Sequence, residues 1–354
     1  MLKWLFFMKN IGLVVLSLIL SLLIGLTLSS SSSPNTNEEK DKKILIGFSM
    51  DTLQEARWKK DRDIFSAKVK DLGADILVTS AKSDDKQQIK DVETLITKGV
   101  DVIVIIPHDG KAMAKAVSMA HEAGIPVIAY DRLITESDLD LYITFDNEKV
   151  GETQAQYLVD SLPKGKKSKI VRIYGAPTDN NAKLFKAGQD KVINQAIKDG
   201  LVEVIHEDWA ANWAPGNAKK IMNAAIAKHG TDIQAVLASN DGTAGGAIQV
   251  LKEEKIAGKV IVTGQDADLI AVQRIISGQQ HMTVYKPIKD IASNAAEIAF
   301  KMAQGKPVIA RSSIANGKID VPSVLLEVTV VDKSNIQETV VKDKFHTKKE
   351  LGLE

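Results

Sequence analysis

From Lys43 onward the chain alternates short β-branched runs with longer stretches of helical period, and this alternation narrows the fold more than any other feature. The runs at 44–48, 76–79, 102–106, 127–129, 170–174, 202–206, 235–238, 260–263 and 282–285 predict strands. Between them, 58–72, 89–98, 111–123, 150–161, 183–198, 218–227, 244–254, 269–277 and 288–304 predict helices. Strands that are apolar on both faces imply parallel sheets covered by helices, joined by right-handed crossovers. Gly99 and Gly124 each stand where a helix ends and a strand begins, and they are fold punctuation rather than chemistry. At 354 residues, with 44% apolar and 26% charged positions, the chain is too long for one sheet. The expected fold class is therefore α/β, with two doubly wound parallel-sheet lobes joined by a multi-strand hinge. Ligands in such sheets bind beyond the carboxyl ends of the strands, so those loops hold the candidate site.

The residues before this pattern carry a different signal. Lys3 and Lys9 precede an uncharged apolar run at 11–28, followed by five serines at 29–33. A signal-peptide core is about 7–15 apolar residues and a spanning helix roughly 17–25, so the run suits an anchor better, with a cleaved signal the other reading. Basic residues ahead of the run place everything after it outside the cytoplasm, tethered to the membrane or released from it. Residues 29–42 read as a flexible tether. With no cysteine, neither disulfides, a lipid-bearing cysteine nor a cysteine metal site is available. A formal net charge of +1 gives no field that would gather nucleic acid.

Polar groups collect at the predicted strand ends. They include Arg57 with Trp58 after the first strand, Asp131 with Arg132, then Asp179 with Asn181, Trp213, Asn240, Asp266 and Lys286. A pyranose presents hydroxyls that each donate and accept, whereas its C–H faces prefer flat aromatic rings. Carboxylates, amides, cations and tryptophans at strand ends supply both needs.

At these turns the chain resembles the periplasmic sugar-binding proteins of type I, and among them the D-xylose-binding proteins. The resemblance covers the chain from about Lys43 onward. It is carried by ARWKKDRDIF at 56–65, AYDRLI at 129–134, FDNEKVG at 145–151, DNNAKLF at 179–185, LASNDGTAGGAIQ at 237–249, TGQDADL at 263–269 and MTVYKP at 282–287. It implies that Arg57, Arg132, Asp179, Asn181, Asn240, Asp266 and Lys286 hydrogen-bond a sugar while Trp58 and Trp213 cover its ring. Asp131 ranks behind them. Taken singly, Asp179, Asn240 and Asp266 read as turn or helix-cap residues, the arginines as surface ion pairs and Trp209 or Trp213 as core.

The expected lobes are 43–146 with 286–318, and 147–285 with 319–354, after an anchor at 1–28 and the tether at 29–42. Crossings are placed near 146–148, 282–286 and 308–321. The mechanism implied is hinge closure around D-xylose or a similar monosaccharide. The closed form is presented to a membrane ATP-driven (ABC-type) sugar permease or to a membrane sensor histidine kinase. No cofactor or metal motif is present, and the histidines lie in no ligand spacing. Catalysis, with Asp179 and Asp266 as a glycosidase pair, is the weaker reading. So is a sugar-responsive repressor, because the DNA-reading helix-turn-helix of such repressors has no counterpart at the amino end.

Overall fold

The computed structural model describes residues 43–354. The expected anchor at 1–28 and tether at 29–42 lie outside the described residues; among the described residues no helix is long and apolar enough to cross a membrane. Strands β1 (Leu45–Met50), β2 (Asp75–Ser80), β3 (Val102–Ile106), β4 (Val127–Tyr130) and β5 (Leu141–Phe145) pair in parallel. Helices α1 (Ala56–Asp71), α2 (Asp85–Thr97) and α3 (Ala114–Glu122) connect the first four. Alternate residues of β1 and β3 face opposite sides. Ile46, Phe48, Val102 and Val104 pack with Phe65 on one side, whereas Ile103 and Ile105 pack with Val92 and Val117 on the other.

The second sheet is built from β6 (Ser168–Tyr174), β7 (Val202–Trp209), β8 (Ala235–Ala238) and β9 (Ile261–Val262), in the order 7-6-8-9 and wholly parallel. Helices α4 (Asn147–Ser161), α5 (Asn180–Lys198), α6 (Pro215–His229), α7 (Asp241–Glu253) and α8 (Leu269–Ile276) belong to it. Helices α4 and α5 approach so closely that a Cβ at Gly151 would sit 2.0 Å from the carbonyl oxygen of Phe185. Strand β10 (Met282–Tyr285) extends this sheet through a parallel bridge between Gln265 and Val284.

The remaining elements return to the first lobe and then leave it. Helix α9 (Ile288–Ala303) supplies Ile291, Ala292 and Ala295 to the core beneath β1 and β3. Strands β11 (Ser312–Ala315) and β12 (Asp320–Leu326) join the first sheet, whose full order is 11-12-5-4-3-1-2. Strand β13 (Thr329–Asp332) then pairs antiparallel with β10, and a short helix, α10 (Lys348–Leu351), follows. The third crossing was expected within 308–321, with 319 opening the second lobe. It falls instead between Leu326 and Thr329, because β12 pairs with β5 from Ser323 to Leu326. Residues 319–326 thus belong with the first sheet.

Candidate functional site

The carboxyl ends of both sheets face a small cavity. It is lined by all ten residues singled out in the sequence, together with Glu55, Phe185 and Gln265. Several of the strand-end turns aim residues there. Arg57 and Trp58 occupy the first turn of α1, Asp131 and Arg132 follow β4, and Asp179 and Asn240 are the N-caps of α5 and α7. The helix-cap reading of Asp179 and Asn240 is therefore correct as far as it goes. Asn240 Oδ1 accepts from the Thr243 amide at 2.9 Å, so what remains to Asn240 for a ligand is its Nδ2 donors. Asp179 Oδ1 accepts from the Asn181 amide, while its Oδ2 accepts from Trp213 Nε1 at 3.1 Å and pairs with Arg132.

Three cations, Arg57, Arg132 and Lys286, stand among four lining carboxylates. Arg57 lies 2.9 Å from Asp131, 3.3 Å from Asp61 and 3.4 Å from Asp266. Arg132 meets Asp51 at 2.6 Å, Asp179 at 2.8 Å and Glu55 at 3.5 Å. Burial alone would lower both arginine pKa values, but the carboxylates, Asp131 foremost for Arg57 and Asp179 foremost for Arg132, hold them above the usual value. Both guanidiniums also lie over the Trp58 ring, at 4.2 and 5.1 Å from its centre. Lys286, 1% exposed, stands 4.0 Å from Asp131 and 5.2 Å from the centre of the Phe185 ring. Burial lowers its pKa, with Asp131 opposing.

The carboxylates differ in turn. Burial would raise Asp131, but Arg57, Lys286 and Arg132 outweigh it and keep this carboxyl below the ordinary range. Asp179 is raised by burial against the pull of Arg132. Glu55 is pushed up to about 7, first by burial and further by the Asp51 and Asp266 charges, against the pull of Arg132. Asn181 bonds Asp131 through Nδ2, at 2.8 Å to the carbonyl and 3.1 Å to the carboxylate, and its Oδ1 accepts from Tyr142 and Asn147. Gln265 Oε1 is buried and has no hydrogen-bond partner. An acceptor in that state at a cavity wall suits a ligand hydroxyl.

Apolar faces complete the wall. Trp213 sits edge-on to Phe185, with ring centres 6.2 Å apart, and a Cβ at Gly175 would strike its indole at 2.0 Å. Trp209 packs instead on Tyr174, 4.9 Å away, outside the cavity. The lining thus combines flat rings with alternating donors and acceptors, which is recognition chemistry for a small polyhydroxylated molecule.

Sequence reasoning passed over three lining residues. Glu55 stands one residue ahead of the quoted segment 56–65, Phe185 looked like a core position of its helix, and Gln265 was shadowed by Asp266. Their neighbours were the available signal.

Comparison with known proteins gives one answer. Residues 46–307 match the family described as periplasmic binding protein domain. The chain is 47% identical over 335 residues to the D-xylose-binding periplasmic protein of Haemophilus influenzae, covering 95% of this chain and 98% of that one. It is 47% identical to the D-xylose-binding periplasmic protein of Escherichia coli, over 93% and 98% of the two chains. A carbohydrate transporter solute-binding protein from Chloroflexus aurantiacus, solved with D-glucose, superposes with a TM-score of 0.82 at 32% identity, covering 87% of this chain and 98% of that one. With two doubly wound lobes around a polar, ring-lined cavity, the chain belongs to the periplasmic binding protein family, in its type I fold.

Proposed function

We propose that this protein captures D-xylose outside the cytoplasm and delivers it to a membrane ATP-driven sugar permease. The observation that carries the reading is the small cavity at the strand ends, walled by rings and hydroxyl-matching groups. In this reading Asp131, Asp179, Asp266 and Gln265 accept from sugar hydroxyls, Arg57, Arg132, Lys286 and Asn240 donate to them, Asn181 holds Asp131 in place, and Trp58, Trp213 and Phe185 cover C–H faces. Glu55 braces Trp58 and Arg132 at the rim, accepting from Trp58 Nε1 at 2.8 Å. Xylose is preferred over larger sugars because two relatives of nearly full coverage carry that name and the cavity is small. Transport is preferred over the histidine-kinase sensor because the structural neighbour from Chloroflexus aurantiacus is described as a transporter's binding protein. The location outside the cytoplasm rests on the periplasmic relatives and on Lys3 and Lys9 ahead of the apolar run at 11–28, which either exports the chain or tethers it.

The protein binds and releases its sugar unchanged, without a cofactor. Closure needs only that the sugar touch both lobes better in the closed arrangement than in the open one. Calorimetry against a panel of pentoses and hexoses tests the specificity: D-xylose is expected to bind most tightly. Tight ribose or galactose binding without xylose binding sinks the xylose assignment. Hydrolysis of a glycoside that disappears in Asp266→Ala would overturn the non-enzymatic reading. Sugar-stimulated ATP hydrolysis by the cognate permease in vesicles tests delivery.

A further inference from the structure

Asp266 and Ala267 are consecutive non-glycine residues with φ of +97° and +50°. Such a pair persists only where its surroundings over-determine it. The Asp266 amide donates to Val284 O at 2.8 Å, and the Ala267 amide donates to Thr283 Oγ1 at 3.1 Å. The Ala267 carbonyl accepts from His346 Nε2 at 2.7 Å. His346 is 3% exposed, and burial lowers its pKa, so the donor is the neutral ring carrying its proton on Nε2.

Its neighbour Phe345 supports the other end of the same wall. The Phe345 ring lies 5.0 Å from that of Tyr285, the residue before Lys286. The segment is itself anchored: Leu351 is buried against Val272 and Ile275, and Gln273 Nε2 donates to Glu350 O at 2.8 Å. Asp266 of the second lobe and Lys286, at the crossing that follows β10, are thus braced by one dipeptide that does not line the cavity.

From the opposite lobe, Lys60 reaches the same dipeptide. It stands on α1, three residues after Arg57, donates to Phe345 O at 3.0 Å and lies 3.8 Å over the Phe345 ring. Both of these contacts bridge the lobes, and a hinge opening would return the ammonium to water.

We propose that Phe345, on a segment that His346 ties to the Ala267 carbonyl, forms a clasp on Lys60 that holds the closed form shut and so sets how long the sugar stays bound. The inference rests on the sugar-binding reading, but the clasp residues themselves do not line the cavity. A contact made only in the closed form slows release and leaves encounter unchanged. Lys60 and Phe345 are closure and positioning residues, and His346 keeps Asp266 in its strained conformation.

The test is stopped-flow tryptophan fluorescence with D-xylose, alongside thermal unfolding, on wild type, Lys60→Met, Lys60→Arg and His346→Phe. Lys60→Met is expected to release sugar about 3- to 30-fold faster, the range set by a partly desolvated cation–π contact with its hydrogen bond, with association unchanged. Lys60→Arg is expected to restore slow release, because guanidinium keeps both stacking and donation. His346→Phe is expected to weaken binding with the ring's bulk retained. If Lys60→Met releases sugar at the wild-type rate, or slows association and lowers the melting temperature together, the clasp is overturned while the functional reading stands. A wild-type protein that binds no monosaccharide sinks the functional reading and the clasp with it.

Discussion

The two lobes furnish the cavity in different ways. The first brings two guanidiniums, each already held by carboxylates of its own lobe: Arg57 by Asp61 and Asp131, and Arg132 by Asp51. The second brings mainly acceptors and amides that are fixed by helix caps and a strained turn: Asp179, Asn181, Asn240, Gln265 and Asp266. Where the lobes meet, donors of the first find acceptors of the second, as Arg57 finds Asp266 and Arg132 finds Asp179. One half is therefore preorganised by charge and the other by backbone geometry. A substitution in the first should leave buried carboxylates unpaired, whereas one in the second should mostly displace a side chain.

Arg132→Ala puts the largest strain on this contrast. It strips Asp51 and Asp179 of a shared partner, a loss of about 3–5 kcal/mol for a buried pair, so sugar affinity is expected to fall more than 100-fold by calorimetry. Arg132→Lys is expected to recover little, since one ammonium cannot serve carboxylates on several sides. Retained micromolar binding in Arg132→Ala would show that the charge network is dispensable.

On the second lobe, Trp213→Ala is expected to weaken binding by about 1–3 kcal/mol if the ring covers the sugar. Gly175→Ala should act in the same direction without touching the ligand, because its methyl would displace the indole. Unchanged titrations for both would return Trp213 to a packing role.

A smaller and more discriminating effect is expected at Asn240. Aspartate caps a helix as well as asparagine does, so Asn240→Asp should preserve the melting temperature while losing the Nδ2 donors, at about 0.5–1.5 kcal/mol of affinity. Asn240→Ala should lose both. Equal melting temperatures for the two variants would argue that the cap contributes nothing.

The smallest expected effect is a slope with pH. Glu55 rises from an ordinary 4.5 to about 7 in the folded protein, so between those values the folded state holds the extra proton. Stability from this group is therefore greatest below 4.5 and declines as pH rises through 7, by on the order of 1 kcal/mol or less at this partly exposed rim. Thermal unfolding from pH 5 to 8 should show a shallower decline in Glu55→Gln than in wild type. Parallel curves would place the titration elsewhere, for instance at Asp268, also raised to about 7, mainly by burial.

The cavity was more legible than the hinge. Asp179, Asn181 and Asn240 were visible because parallel strands buried on both faces leave polar residues only at their ends, and that rule locates a site without knowing any distance. Phe185 was hidden because an apolar residue at helical spacing reads as core, yet it lines the cavity. Strand β12 was hidden for another reason. Pro322 interrupts its run, and proline argues against an interior strand. Yet β12 bonds β5 only from Ser323 onward, so the missing amide costs nothing on that side. Its partner β11 is largely exposed and lacks any apolar alternation.

The late arrival of β12 has a consequence for how the chain is made. Strand β5 emerges from the ribosome with one edge open, and the strand that covers that edge begins only at Asp320. At about 5–20 residues per second, that edge waits on the order of 10 seconds or more. An uncovered edge strand invites pairing with other chains. Biosynthesis is thus the stage at which this lobe is most exposed to aggregation, and a chaperone that shields β5 until β12 docks should raise the yield of folded protein more than one that acts after synthesis is complete.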